Sequence, residues 1–203
     1  MTQAPHPEER FRIALFPLPV VLLPGAQMPL HIFEPRYRDM VRDALAADRR
    51  FGMVYHDWDR QGPFLSEEGR VGTVAEIRQH ELLEDGRSLL LVEGVERFRI
   101  VDGIESDALY FEALVTPYRD TTVMKGEELA FRRGESIDLF DRVVDALEER
   151  PAPLPDLSRD SELSFVLART VQVEPGFLQR LLELTDEGSR LERLDRIFRA
   201  ALG

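Results

Sequence analysis

The chain has 203 residues, of which 43% are hydrophobic, and a formal net charge of −12. This length is sufficient for one or two domains with a sizeable core, and the excess of acidic side chains disfavours nucleic acid as a partner. The absence of cysteine excludes disulfides, thiolate zinc ligands and a thiol nucleophile. No apolar run reaches the length of about 18 residues that a membrane span needs, and the first ten residues lack the features of a signal peptide, so we expect a cytoplasmic protein.

The first unusual feature is the apolar segment FPLPVVLLPGAQMPLHIFEPRY at 16–37, which contains five prolines. Proline lacks an amide donor and is excluded from central strands and from helix interiors. We therefore expect this segment to form edge strands and a loop rather than the middle of a sheet.

A helix is predicted to begin at Pro35 and to end near residue 48. Proline suits the first turn of a helix, where its missing amide donor costs nothing. The apolar residues recur at helical spacing and define one face that we expect to be buried: Tyr37, Met40, Val41, Ala44 and Leu45.

Five β-like stretches follow, at 51–57, 70–83, 88–94, 95–103 and 110–118. The turn signal EDGR joins the second stretch to the third. The fourth alternates apolar and arginine side chains, as expected of a half-exposed strand. Short strands separated by glycines predict a small closed or half-closed barrel.

The rest of the chain is predicted to be helical, with amphipathic stretches at 126–150, 160–173, 174–184 and 186–202. The sequence PAPLP at 151–155 is interpreted as a stiff connector. These patterns predict an α+β protein with two domains. A β-rich lobe would occupy 1–122 and contain the helix at 35–48, and an α-helical lobe would occupy 123–203.

Motifs for catalysis are missing from the sequence. The only lysine, Lys125, is not part of a phosphate-binding loop, and neither HExxH nor GxSxG occurs. The histidines have no metal-binding spacing: His6, His31, His56 and His80. We therefore predict no catalytic residue, no bound metal and no cofactor.

Three stretches carry a more specific signal: LFPLPVVLLPGAQMPLHIFEPRYRDMV at 15–41, VGTVAEI at 71–77 and DGRSLLLVEGVERFRI at 85–100. With the helical tail FLQRLLELTDEGSRLERLDRIF at 177–198, their order and spacing resemble the N-terminal, substrate-binding domain of the Lon protease family. The resemblance implies a PUA-like β-barrel lobe followed by a C-terminal α-helical bundle. It also implies a non-catalytic role in binding polypeptide substrates. Because the family's ATPase and protease motifs have no counterpart here, we expect a stand-alone member with no catalytic residue.

The resemblance makes the proline-rich segment the candidate surface for polypeptide binding. Exposed apolar side chains on strands that cannot extend their own sheet can contact an unfolded chain with less risk of self-aggregation. Burial in the core is the simpler explanation for most large apolar residues, and a packed corner is the simpler one near the helix start. Trp58, in a polar loop, is the strongest single candidate, because aromatic anchors dominate interfaces. The predicted protein-binding residues are Leu22, Leu23, Met28, His31, Phe33, Tyr37 and Trp58.

Two other functions stay open on the sequence. PUA-like barrels elsewhere bind RNA, and a local basic strip of Arg97, Arg99 and Arg119 would serve that function against the overall charge. An unrecognised hydrolase would need a cluster of perturbed ionisable groups in a cleft. The preferred prediction is a module that binds unfolded or exposed apolar polypeptide segments, with a protease or chaperone as a further partner, in protein quality control.

Overall fold

The structure is a computed structural model, and it describes residues 9–121, 124–147, 157 and 162–203. Contacts divide the chain into two compact units, Met1–Arg119 and Asp120–Gly203. The predicted connector at 151–155 lies outside the described residues. Within the described ranges, no helix is both long enough and apolar enough to cross a membrane.

The N-terminal unit contains six strands and two helices in its described part. The strands are β1 (Phe11–Leu18), β2 (Gln27–Ile32), β3 (Arg50–Tyr55), β4 (Val71–Leu82), β5 (Ser88–Ile104) and β6 (Phe111–Pro117). The helices are α1 (Pro35–Ala46) and the single turn α2 (Trp58–Gln61). As the sequence predicts, Pro35 lies in the first turn of α1.

The six strands form one mixed sheet with the order β2-β5-β4-β3-β1-β6. Strands β1 and β3 run parallel, and the other pairs are antiparallel. The last part of β5 also pairs with β6, so the pairings β5-β4-β3-β1-β6 return to β5. Strand β2 lies outside this circuit and pairs with the first part of β5. Its position at the end of the sheet accommodates Pro29, as the prolines predict.

Strand β5 is one strand of 17 residues, whereas the sequence predicted two strands that divide at Gly94. The glycine permits a close backbone contact, because a Cβ atom at this position would lie 2.4 Å from the carbonyl oxygen of Leu23. The loop after β1 is fixed here by two hydrogen bonds: Gly25 N donates to Gly94 O at 2.7 Å, and Gly94 N donates to Ala26 O at 2.9 Å. Gly94 therefore marks where this loop crosses β5.

Two apolar clusters form the core of the N-terminal unit. The first contains the buried face of α1, where Tyr37, Met40, Val41 and Ala44 are buried as predicted. The residues packed with this face are Phe16, Leu22, Ile32, Phe51, Met53, Ala75, Ile77, Leu90 and Val92. The second is built from strand residues and one loop residue: Ile13, Leu15, Val54, Phe64, Val74, Phe98, Ile100, Ala113 and Val115. Burial of these side chains is the main source of stability in this unit.

The C-terminal unit is helical in its described part. Its helices are α3 (Gly126–Ala146), α4 (Leu163–Ala168), α5 (Pro175–Leu182) and α6 (Glu187–Leu202). Helices α3 and α6 contact each other through Phe140 and Phe198, whose ring centroids lie 5.7 Å apart. Helix α6 begins with a capped turn, because the Asp186 carboxylate accepts a hydrogen bond from Ser189 N at 2.7 Å.

An arginine forms the polar centre of this helical unit. Arg190 on α6 is only 1% exposed, and its guanidinium lies over the Phe165 ring at 4.5 Å. Its Nε donates to Ser164 Oγ, and its Nη1 donates both to Asp120 Oδ1 and to the carbonyl oxygen of Leu184, all within 2.9 Å. A buried cation needs such a set of acceptors, so Arg190 joins α6 to α4 and to the segment that precedes α3.

Candidate functional site

A groove with an apolar lining lies on the N-terminal unit. Its volume is 380 Å³, and it is lined by Phe16, Pro17, Leu18, Leu30, His31, Ile32, Phe33, Glu34, Arg36, Tyr37 and Trp58. We call it the aromatic groove. Phe33 is 59% exposed and Trp58 is 39% exposed, although large aromatic side chains are mostly buried in folded proteins. Two exposed aromatic side chains at one apolar depression are typical of a binding surface.

Two strand segments form walls of the groove without pairing with each other. Residues 16–18 of β1 pair with β3, whereas the pairing of β1 with β6 ends at Leu15. Residues 30–32 of β2 pair with β5. In the part of the chain that the structure describes, neither segment has a second strand partner at the groove. The edge at 30–32 can accept an extended peptide as an additional strand, whereas Pro17 offers no amide donor at 16–18.

The start of α1 provides the charged end of the groove. Arg36 Nε donates to the Glu34 carboxylate at 2.9 Å, and the Arg36 guanidinium lies over the Tyr37 ring at 4.5 Å. The groove therefore combines an apolar lining with one local ion pair. Because this pair is partly exposed, its contribution to stability is small.

Tyr37 is the polar group at the base of the groove. Its ring is buried against Phe16, with the centroids 4.4 Å apart, and its hydroxyl oxygen has no hydrogen-bond partner within the described ranges. Burial raises the pKa of Tyr37 to about 12, so the hydroxyl keeps its proton near neutral pH. The hydroxyl oxygen itself is buried, so it is not offered to a ligand at the surface of the groove.

Trp58 is held by the short helix α2, which follows β3. The Asp57 carboxylate caps this helix and accepts hydrogen bonds from Asp59 N at 3.2 Å and Arg60 N at 3.3 Å. The indole ring contacts the buried imidazole of His56 in a T-shaped arrangement, with 4.5 Å between the ring centroids. The only tryptophan of the chain thus lies on an ordered turn at the rim of the aromatic groove.

The structure brings together four of the seven predicted protein-binding residues. His31, Phe33, Tyr37 and Trp58 all line the aromatic groove, with Tyr37 buried at its base. Met28 is half-buried and packs against the first core cluster rather than lining the groove. The binding role of these residues stays a prediction.

The expectation that Leu22 and Leu23 provide exposed surface is wrong. Their side chains are 2% and 3% exposed, and Leu22 belongs to the core cluster around α1. The cause is the crossing at Gly94, which draws the loop after β1 onto β5. Glu34 and Arg36 also line the groove but were not predicted to do so, because their positions at the start of a helix are their only signal in the sequence.

A second cavity, of 510 Å³, has a charged lining that includes Arg12, Asp43, Tyr110 and Glu112. These groups satisfy one another: Arg12 Nε donates to the Glu112 carboxylate at 2.8 Å, and the Tyr110 hydroxyl donates to the Asp43 carboxylate at 3.0 Å. The hydrogen bonds from Arg12 hold the pKa of Glu112 below its usual value. Among the described residues, no group of three His, Asp or Glu side chains is placed to hold a metal ion.

The candidate RNA-binding strip is incomplete in the structure. Arg97 is buried and its guanidinium lies 5.2 Å from the centre of the Tyr118 ring, so it cannot offer its charge to a phosphate backbone. Arg99 and Arg119 are exposed. Two exposed arginines on a chain with a net charge of −12 provide little of the phosphate neutralisation on which RNA affinity depends.

Sequence comparison identifies the class to which this fold and groove belong. The sequence profile described as the ATP-dependent protease La (LON) substrate-binding domain matches residues 12–198, and the chain belongs to this family. The Lon protease of Syntrophus aciditrophicus is 28% identical over 185 residues, which cover 87% of this chain and 23% of that protein. The Lon protease of Escherichia coli is 26% identical over 196 residues, or 94% of this chain and 25% of that protein. The chain thus spans about a quarter of the length of these relatives.

Solved structures agree with this assignment. The Lon N-terminal domain protein from Xanthomonas campestris is 25% identical and superposes with a TM-score of 0.65, covering 91% of this chain and 96% of that chain. The N-terminal domain of the Mycobacterium avium complex Lon protease has a TM-score of 0.69 at 17% identity and therefore shows the common fold alone.

Proposed function

We propose that this chain is a non-catalytic module that binds polypeptide segments in the aromatic groove. The observation that carries the proposal is the pair of exposed aromatic side chains, Phe33 and Trp58, at the rim of an apolar depression. The family description, a substrate-binding domain of an ATP-dependent protease, supports polypeptide as the ligand. A bound client would be passed to a protease, as the names of the relatives suggest, or to a chaperone.

The proposal includes the finer architecture of the two units. We propose that the N-terminal unit is a PUA-like barrel, which the pairings that return from β6 to β5 support. We propose that the C-terminal unit is a helical bundle, which the contact between α3 and α6 supports. In this architecture the barrel carries the groove on a rigid sheet, so a client would not need to order its binding site.

Binding would follow from apolar burial and from backbone pairing. Apolar client side chains would cover Phe33 and Trp58, and each fully buried large apolar side chain contributes about 1.5–3 kcal/mol. The unpaired edge at 30–32 would add hydrogen bonds to an extended client backbone. These interactions depend little on client sequence beyond a requirement for apolar residues.

Substitutions at the rim of the groove test this function. Phe33→Ser and Trp58→Ala should each weaken binding of an unfolded polypeptide by about tenfold or more, because exposed aromatic anchors dominate interface energies. The measurement is fluorescence anisotropy of a labelled, reduced and carboxymethylated protein that stays unfolded, titrated with each variant.

Phe131→Ser is the matched control, since Phe131 lies on α3 and is 70% exposed. It should leave the affinity unchanged. Thermal unfolding of all variants would verify that they fold. Equal affinities for the groove variants and the control would contradict the proposed site, and no binding by the wild-type chain would contradict the function itself.

RNA is the alternative ligand, and fluorescence anisotropy tests it in the same way. A labelled single-stranded RNA, titrated at low salt, should show no binding, because the net charge is −12 and Arg97 of the candidate strip is buried. Salt-dependent binding that is lost in an Arg99→Ala/Arg119→Ala variant would favour RNA as the ligand.

A further inference from the structure

His56 is buried directly behind the groove residue Trp58. The His56 side chain is 1% exposed, and its ring meets the Trp58 ring edge-on at 4.5 Å and the Phe64 ring edge-on at 5.3 Å. Its backbone amide donates to the carbonyl oxygen of Leu18 at 2.8 Å, which fixes the end of β3 to β1. The backbone of His56 is therefore fixed to the sheet, and its imidazole contacts the indole ring.

One hydrogen bond links this imidazole to the far end of the turn that carries Trp58. The His56 Nε2 atom lies 2.8 Å from the carbonyl oxygen of Gly62. A carbonyl oxygen only accepts, so Nε2 carries the proton and Nδ1 is unprotonated in the neutral ring. Nδ1 is buried and has no hydrogen-bond partner among the described residues. The single Nε2 bond is therefore the only polar link of this side chain in the described part of the protein.

The turn itself is closed by its own hydrogen bonds. Gln61 N donates to Asp57 O and Asp57 N donates to Gln61 Oε1, both at 2.8 Å. Gly62 follows with a φ of 69°, a conformation that favours glycine and that directs the chain back towards His56. These bonds hold the turn together, but they do not fix it to the sheet. His56 provides a connection to the sheet through its ring contacts and through its hydrogen bond to Gly62.

We propose that His56 is a positioning residue, which sets the orientation of Trp58 at the rim of the aromatic groove without contacting a client. The part of this proposal that concerns affinity rests on the proposed function. The part that concerns the orientation of Trp58 does not. Loss of the His56 link would leave Trp58 on a closed but mobile turn, and ordering it on binding would weaken affinity.

The single tryptophan gives a direct optical readout. Time-resolved fluorescence anisotropy of Trp58 should show slow, whole-protein rotation in the wild type and an added fast component in His56→Ala. His56→Gln retains an amide donor near the position of Nε2 and should restore most of the slow rotation. His56→Phe retains a ring but has no donor to Gly62 O, and it should lie between the two.

Client binding is the second readout in the same series. His56→Ala should weaken binding of the carboxymethylated polypeptide by about fivefold, the effect of losing one net hydrogen bond. The affinity should decrease from wild type through His56→Gln and His56→Phe to His56→Ala, the same order in which the slow rotation of Trp58 is lost. His80→Gln is the control, because His80 Nε2 lies near Ser88 Oγ on the β4–β5 hairpin and outside the aromatic groove. It should change neither signal.

The two readouts separate the two proposals. Unchanged Trp58 anisotropy in a folded His56→Ala variant would overturn the positioning role, and if that variant fails to fold, wild-type-like anisotropy in both His56→Phe and His56→Gln would overturn it. A lower unfolding temperature without a change in Trp58 mobility or affinity would also overturn it, since that pattern reflects a structural role alone. If the wild type binds no client, the proposed function fails, and the anisotropy series still tests the positioning of Trp58.

Discussion

Replacing Leu22 by alanine is expected to lower the free energy of unfolding of the N-terminal unit by about 2–5 kcal/mol, the range for leucine in a packed core. Leu22 is buried in the cluster that α1 closes, and the loop that carries it is held against β5 at Gly94. A shorter side chain would leave a cavity that this constrained loop cannot fill. Urea unfolding followed by Trp58 fluorescence reports on this unit, because the only tryptophan lies within it.

Leu109→Ala is the matched control, because Leu109 lies in the same unit and is 70% exposed. Its effect should stay within about 0.5 kcal/mol, as for other surface substitutions. If Leu22→Ala leaves the free energy of unfolding unchanged, the loop after β1 is not packed in solution. Leu22 and Leu23 would then be available to a client, as the sequence predicts.

Replacing Arg190 by methionine is expected to destabilise the helical unit by about 3 kcal/mol, near the lower end of the range for breaking a buried ion pair. Methionine fills a similar volume but donates no hydrogen bond to Ser164, Asp120 or the Leu184 carbonyl group. The buried Ser164 hydroxyl and the carbonyl oxygen would lose an important donor. Asp120 is partly exposed, so water would compensate for part of its loss.

Hydrogen exchange of the α6 amides measures this change locally, since Trp58 does not report on the C-terminal unit. Arg196→Met on the same helix is the control. Arg196 and its partner Glu192 are both largely exposed, so their ion pair contributes little. Equal exchange rates in Arg190→Met and Arg196→Met would contradict the central role of Arg190.

Local patterns predicted most of the individual elements. Helix α1 begins at Pro35 and buries the face that its spacing indicates, and the stretch predicted at 70–83 corresponds to β4 at Val71–Leu82. The helical spacing of α1 and the turn signal that joins β4 to β5 are local patterns, which the sequence reveals directly. The prediction that a strand ends at Gly94 is wrong. A glycine is needed at this position because of a close contact with Leu23, which lies about 70 residues earlier in the chain.

The candidate site was predicted only in part for the same reason. The aromatic character of Phe33 and Trp58 pointed to a surface role, and both are exposed at one groove. Apolar composition alone could not show that Leu22 and Leu23 are buried, because this depends on where the loop crosses β5. The burial of Arg190 was likewise invisible, since its acceptors Asp120 and Ser164 lie 70 and 26 residues away in the sequence.

The most direct test of polypeptide binding in the aromatic groove is amide chemical-shift mapping of the ¹⁵N-labelled chain during titration with an unlabelled, permanently unfolded polypeptide. The proposed function predicts shift changes at 16–18, at 30–37 and at Trp58, including its indole N–H, with a common saturation curve. Phe33→Ser should weaken all of these changes together. Saturable shift changes confined to the C-terminal unit, or no saturable change at all, would contradict it.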